Sequence, residues 1–506
     1  MIEKDLKILQ VVGEIYPYSK TGGLGHVTAD ITYNLADSNN DVTVFTPLYG
    51  SVWKMIKKKN VETVLTDIPI YIDSTTTITC SCLKYVKHNG SRKPITFYFI
   101  NHYDFFGRYS RNLYSSPDMH KRLYFFSKAV VVIIKELGLN FDIVHIHDWM
   151  VGLFPKLLKE DFNFSSHKSP KVILTIHNLA FQGSGFLNLH RFEKKFQRPP
   201  AQILPPYSND EKWEKVNFLK QGIKHADMIT TVSSTYANEI ATPEYGEGLS
   251  SFLSKYGPIY GIINGIDYKA FNPATSKNVP ENFNTLNFTD KKRKNKLYLI
   301  KMLKLPKHFI NYPFIITTHR ITYQKGYDLI LKIFRTLMKM NIVFVVLGDG
   351  DKRYVDKFHE LNKSYKNFVF ITPYSDITEE KLLAGSDILL CPSIYEPCGT
   401  AHMKGMRYGV VPVARKTGGL ADTISNFDEK KNSGTGFLFL SYDKKYFLNS
   451  IKRAIRIHTE NKKVWKEIVL RCMNQSFTWE KSIEEYIFLY RKLLKKSKKT
   501  KLLKSR

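Results

Sequence analysis

Short, nearly continuous apolar runs recur along the chain, separated by polar segments and helical patterns. Leu6–Val12, Asp41–Thr46, Ile143–His147, Val172–His177 and Met228–Val232 form a first series of such runs. Phe314–Thr318, Ile342–Leu347, Asn367–Ile371, Ile388–Cys391 and Val410–Val413 form a second. An apolar run without polar alternation is what a strand covered on both faces requires. Such strands alternating with helical patterns predict βαβ units and parallel sheets. The expectation is an α/β protein with one domain over 1–265 and another over 299–476. The stretch 266–298, rich in asparagine, lysine, proline and threonine, reads as a linker. A last helical pattern covers 477–494, where Trp479, Tyr486 and Tyr490 read as packing residues, and 495–506 reads as a basic tail.

Composition narrows the class. The chain has 506 residues, 43% apolar and 24% charged, which excludes a disordered or fibrous protein and suits two domains. Five cysteines without C-x-x-C pairs exclude a disulfide scaffold and fit a reducing, cytoplasmic setting. No run approaches the roughly 18 apolar residues of a membrane span, so no membrane partner is expected. A net charge of +30 points to an anionic partner, yet lysine is spread over the whole chain, which makes the charge compositional. Arg491–Arg506 concentrates nine basic residues with no aromatic residue after Tyr490, so a base-stacking surface for nucleic acid is not expected.

One pentapeptide occurs twice: Lys20-Thr21-Gly22-Gly23-Leu24 and Lys416-Thr417-Gly418-Gly419-Leu420. Each copy follows an apolar strand and opens a helix. First-turn amides of a helix lack internal partners, and a residue without Cβ lets an anion approach the backbone, so each copy is a candidate phosphate loop. Arg320 and Lys325 follow the run Phe314–Thr318, where guanidinium and ammonium groups suit a diphosphate. Glu396 and the pair Asp148-Trp149 also follow strands; carboxylates accept sugar hydroxyls and indole covers an apolar ring face. His177 ends another strand. His145 and His147 have no matching zinc cluster, and Asp349-Gly350-Asp351 reads as a turn, so no metal is expected.

Together these residues resemble the bacterial glycogen synthases and plant starch synthases, retaining glucosyltransferases of the GT-B fold. The resemblance rests on Lys20–Leu24, His147-Asp148-Trp149, Thr175–Gly183, Asn264-Gly265-Ile266-Asp267, Arg320–Gly326, Pro392–Gly399, Met406–Gly409, Thr417–Thr423 and Phe477-Thr478-Trp479, in order along nearly the whole chain. It implies two Rossmann-like domains facing across a deep cleft, with the helix near Trp479 crossing back to the first. It implies transfer of glucose from ADP-glucose to the non-reducing end of an α-1,4-glucan, with retention, release of ADP and no cofactor or metal. The residues it assigns to catalysis are Lys20, His177, Arg320, Lys325 and Glu396. Gly22, Gly23, Tyr374, Cys398, Gly399, Thr400, Thr417, Gly418 and Gly419 would bind the donor, with Tyr374 stacked on adenine. Asp148, Trp149 and Asn178 would bind the acceptor.

Three places depart from the family pattern. His26 stands where an acidic residue is usual, Met150 where many bacterial members have His, and Thr400-Ala401-His402-Met403 where a leucine-led, glutamine-containing run is usual. Lys20, Arg320, Lys325 and Glu396 are retained. Alternative readings are a GT-B enzyme for another nucleotide sugar such as UDP-glucose, a catalytically weak glucan-binding relative, and nucleic-acid binding through the tail. Oligomeric state has no signature in the sequence.

Overall fold

A computed structural model of the protein describes residues 5–72, 77–88, 90–110, 113–114, 116, 118–160, 169–186 and 215–504. The chain divides into two compact units. The first comprises Met1–Val232, Ala237–Ile262 and Trp479–Arg506, and the second Ser233–Tyr236 and Ile263–Thr478.

The first unit holds strands β1 (Lys7–Val11), β2 (Asp41–Pro47), β3 (Val61–Tyr71), β4 (Thr77–Lys87), β5 (Ile95–Asn101), β6 (Ile143–His147), β7 (Lys171–Ile176), β8 (Ser184–Phe186), β9 (Lys215–Asn217), β10 (Met228–Thr231) and β11 (Ile259–Gly261). Nine of them form one sheet in the order β11-β10-β7-β6-β1-β2-β5-β4-β3, and β8 pairs with β9 separately. The central strands are parallel, whereas β4 runs antiparallel to both β3 and β5. The apolar-run reading did not separate β3, β4 and β5. The first two lie at the sheet edge, mix exposed threonine and glutamate with less exposed positions, and so carry no continuous apolar stretch.

The second unit has six parallel strands: β12 (Phe314–Thr317), β13 (Val343–Leu347), β14 (Phe368–Ile371), β15 (Ile388–Cys391), β16 (Val411–Arg415) and β17 (Phe437–Phe439). Their order is β14-β13-β12-β15-β16-β17. Residues 343–347 and 388–391 are buried throughout, because helices cover both faces. The helix Tyr327–Met338 shows why: Tyr327, Ile330, Phe334 and Leu337 return every third or fourth position and are buried. The stretch 266–298 packs into this unit, since Val279, Phe283 and Phe288 join its core, and it ends in the helix Phe288–Met302. Apolar residues among the polar ones decide this, and composition alone does not display them.

The last helix, Trp479–Lys504, packs against the helix Leu24–Asp37 of the first unit, where Trp479 Nε1 donates to Asp30 Oδ2 at 3.0 Å. Trp479, Tyr486 and Tyr490 are all buried. Among the described residues no helix is long and apolar enough to cross a membrane.

Candidate active site

In each unit the singled-out residues gather where strand order reverses. In the first sheet β1 lies between β6 and β2, and in the second β12 lies between β13 and β15. Loops leaving adjacent strands in opposite directions open a crevice at the carboxyl ends of the strands. The loops after β1, β6 and β7 carry Lys20–Gly23, Asp148–Trp149 and His177–Asn178; those after β12 and β15 carry Arg320–Lys325 and Glu396–Gly399.

In the second unit Lys325 Nζ lies 2.5 Å from Glu396 Oε2, and Ser393 Oγ donates to the same oxygen at 3.0 Å. Burial acts to raise the Glu396 pKa, but the Lys325 charge and these hydrogen bonds outweigh it and hold the group below the ordinary carboxylate value. Lys325 ends a short 3-10 turn, and Gly326 follows at φ 77°. A Cβ on Gly326 would stand 2.1 Å from the Pro392 carbonyl, so this glycine lets the two loops meet. Arg320 is exposed, and among the described residues no carboxylate pairs with it. Its loop is braced by the Asp349–Asp351 turn: Ile321 N donates to Asp349 O at 2.8 Å and Asp351 N to Ile321 O at 2.7 Å. Asp351 also caps the helix Lys352–Ser364 through Arg353 N. Asp349 Oδ2 accepts from Tyr374 N at 3.4 Å, linking the arginine loop to the tyrosine. The Tyr374 hydroxyl lies 2.9 Å from both Asp376 Oδ1 and Glu379 Oε2, and Glu379 also receives Lys404 Nζ at 3.1 Å. Tyr374 is 36% exposed.

The two Lys-Thr-Gly-Gly-Leu copies are not equivalent. Around Gly23 a Cβ would meet nothing within 4 Å. At Gly418 it would stand 1.9 Å from the Glu396 carbonyl, and at Gly419 2.1 Å from that of Cys398. Gly419 N also donates to Glu396 O at 2.9 Å. The second pair of glycines thus admits the Glu396–Gly399 backbone, and the Gly419 amide is engaged by protein. Gly399, at φ 74°, turns that loop into the helix Ala401–Arg407 after Thr400. Thr417 precedes the helix Gly418–Thr423. Cys398 is buried, and burial pushes its thiol up to about 12. His402 Nε2 lies 2.6 Å from Thr423 Oγ1, whose hydroxyl donates to Gly419 O, tying the two short helices together.

In the first unit Lys20 is exposed, and its ammonium donates to His26 Nε2 at 3.2 Å. The His26 ring stacks on Tyr16, with centroids 4.3 Å apart. Glu14 was absent from the sequence expectation. It is buried, and its carboxylate accepts the Thr21 amide and interacts with that of Gly22. Burial raises its pKa to about 7, against the pull of those amides. A carboxylate two residues beyond a strand end was the only signal. Asp148 has φ 56°, a conformation L-residues rarely adopt, which persists because its surroundings hold it. Its Oδ1 accepts from His177 N at 2.7 Å and Asn178 N at 3.4 Å, and burial raises its pKa to about 7. Trp149 packs edge-on to Tyr114, and a Cβ at Gly183 would stand 2.3 Å from its ring. Asn178 Oδ1 accepts from Ala180 N at 3.1 Å within its own loop. His177 stays neutral, because burial lowers its pKa to about 3. Among the described residues no group of three or more His, Cys, Asp or Glu is placed to hold a metal ion.

Residues 7–255 match the family model for the starch synthase catalytic domain, and residues 301–468 that for glycosyl transferases group 1. The glycogen synthase of Thermosipho melanesiensis is 36% identical over 97% of this chain and 100% of its own length. That of Desulforudis audaxviator is 34% identical, with 98% of each chain covered. Among solved structures, the catalytic domain of starch synthase IV from Arabidopsis thaliana, bound to ADP and acarbose, matches with a TM-score of 0.83 and 28% identity, covering 97% of this chain and 100% of that one. Sucrose-phosphate synthase from Thermosynechococcus elongatus shares the fold, with a TM-score of 0.58 and 16% identity. The fold is GT-B.

Proposed function

The chain belongs to the glycogen and starch synthase family, and from that premise we propose that it transfers glucose from ADP-glucose to the non-reducing end of an α-1,4-glucan, with retention and release of ADP. The observation that carries this reading is the Lys325–Glu396 pair at the strand-order reversal of the second unit, with Arg320 exposed on the adjoining loop. Breaking the anomeric C–O bond leaves the bonding electrons on the departing diphosphate. Arg320 and Lys325 offset that growing charge, and their work is done in advance by the ion pair and the braced loop. Lys325, neutralised by Glu396 in the free protein, turns to phosphate when the donor binds, while Glu396 accepts glucose hydroxyls. Cys398, Gly399, Thr400, Thr417 and Gly418 line the sugar with backbone groups. Tyr374, pinned by its hydroxyl and partly exposed, carries the adenine.

The first unit serves the glucan. Asp148, Trp149 and Asn178 hold the acceptor end, His177 meets sugar hydroxyls as a neutral ring, and Lys20 with the open backbone at Gly23 forms an anion loop. The two buried carboxylates beside these loops, Asp148 and Glu14, are both occupied by backbone amides rather than free to act as nucleophiles. Attack from the face the leaving group vacates is the route this arrangement favours.

Transfer of labelled glucose to glycogen, comparing ADP-glucose with UDP-glucose, tests the reading. Incorporation from ADP-glucose is expected. Incorporation from UDP-glucose alone overturns the donor, and none from either, in folded protein, overturns the reaction.

A further inference from the structure

Behind His177 lies a row of buried polar side chains on neighbouring strands. Gln10 is on β1, His145 and His147 on β6, Thr175 on β7 and Thr230 on β10, and Gln10, His145, Thr175 and Thr230 are wholly buried. Tyr490 enters the row from the last helix, also wholly buried. The row ends on a backbone carbonyl, which can only accept, and this sets the direction of every bond in it. Thr230 Oγ1 donates to Leu174 O at 3.4 Å, so it accepts from Thr175 Oγ1 at 2.6 Å. Thr175 in turn accepts from His145 Nε2–H at 2.7 Å. Neutral His145 then has a bare Nδ1, to which the Tyr490 hydroxyl donates at 2.8 Å and which the Gln10 amide nitrogen faces at 3.5 Å. That turns the Gln10 carbonyl toward His147, whose Nε2–H donates to it at 2.8 Å. Neutral His147 accepts at Nδ1 from His177 Nε2–H at 3.0 Å.

We propose that Tyr490 and Gln10 are positioning residues that hold His177 as its Nε2–H tautomer, leaving Nδ1 as a hydrogen-bond acceptor for a sugar hydroxyl. The reference to sugar rests on the function proposed above; the tautomer does not. A hydrophobic core would accept leucine or phenylalanine at all these places. Polar groups buried here cost free energy unless satisfied, and in this row both ring nitrogens of His145 and of His147 are bonded. What the row provides is one orientation: an imidazole whose second nitrogen is committed presents only one kind of group to a ligand. The last helix is thereby joined to the chemistry through a side chain that touches no substrate.

The test uses the full chain labelled with ring ¹⁵N-histidine, which shows by NMR which nitrogen carries the proton. The His177 signal is identified by its loss in His177→Asn. Wild type is expected to show a protonated Nε2 and a bare Nδ1. Gln10→Leu and the milder Tyr490→Phe are expected to move His177 toward the other tautomer or a mixture. In glucosyl transfer both variants should lower kcat, Gln10→Leu by about 10–100-fold as for loss of an outer partner of a functional histidine, with the donor KM within about twofold. A structural role alone would change stability without moving the tautomer or splitting kcat from KM. A wild-type proton on Nδ1, or an unchanged His177 signal in both variants, overturns the proposal. So does a changed tautomer with unchanged kcat. If Gln10→Leu does not fold, Tyr490→Phe, which keeps the ring, decides alone. If the wild type transfers no glucose while the NMR result is as expected, the proposed function fails and the tautomer assignment stands.

Discussion

Lys325 and Glu396 form a pair in which each group makes the other tolerable. Glu396 is 5% exposed, and the Lys325 charge 2.5 Å away is the largest influence that keeps it ionised against burial. Lys325→Ala should therefore do two things. Turnover should fall by about 10²–10³, the usual cost of losing a charge-stabilising donor. Stability should fall by about 3 kcal/mol, because Glu396 is left buried and unpaired. Adding Glu396→Gln should recover much of the stability, read by urea unfolding, and none of the turnover. Recovery of activity would show that Lys325 serves only to neutralise its partner. Glu14 makes a second case. Its pKa is about 7 in the fold against an ordinary 4.5, so the folded chain takes up this proton before the unfolded chain does. Its contribution is full below about 4.5 and is lost as pH rises through about 7. Glu14→Gln removes that loss. The variant should gain on wild type by up to about 3 kcal/mol between pH 4.5 and 8, measured by urea midpoints across that range.

The two glycine-rich turns look alike as sequence and differ as elements. Gly23 is at φ −69°, facing open space, so Gly23→Ala should leave stability within about 0.5 kcal/mol of wild type. If the open space serves an anion, the same variant should raise the donor KM. Gly418 is at φ 43° with the Glu396 carbonyl filling its Cβ position, so Gly418→Ala should cost about 3 kcal/mol or more and displace Glu396. Paired thermal melts and kinetics distinguish the two turns. Equal losses in both would refute the assignment. The sequence motif named both places as phosphate loops because strand, glycine pair and helix start were present in each. Only one has unfilled space, and what fills the other comes from a loop about twenty residues earlier in the chain.

At the scale of the whole molecule, the first unit is closed by the last helix. Trp479, Ile483, Tyr486, Leu489, Tyr490 and Leu493 are all buried. Removing one large buried side chain costs about 3–5 kcal/mol, and a domain has only about 5–15 to lose. Truncation after Thr478 should therefore abolish folding of the first unit, seen as a missing calorimetric transition, whereas truncation after Lys495 should keep transfer activity. Activity in the shorter protein would contradict the packing described. The basic end of the chain was legible as a helix pattern only to 494; the helix continues to Lys504, since lysine is a good helix former and no glycine or proline interrupts it.

By itself the sequence determined the α/β class, ten of the parallel strands to within a residue or two at each end, and the candidates Arg320, Lys325, Glu396, Asp148 and His177 at or just beyond strand ends. These follow from neighbours in the chain: apolar runs, helix periodicity and turn residues act locally. The tertiary structure decided what those residues meet. Strand order placed the loops of β12 and β15 side by side, so that Lys325 reached Glu396. It also set Gln10 beside His145 in register, and brought Tyr490 to a histidine 345 positions away. It put Glu14 under the first glycine turn and the Glu396 carbonyl into the second. Such pairings depend on which strands lie next to each other, a property of the whole sheet that no window of sequence contains.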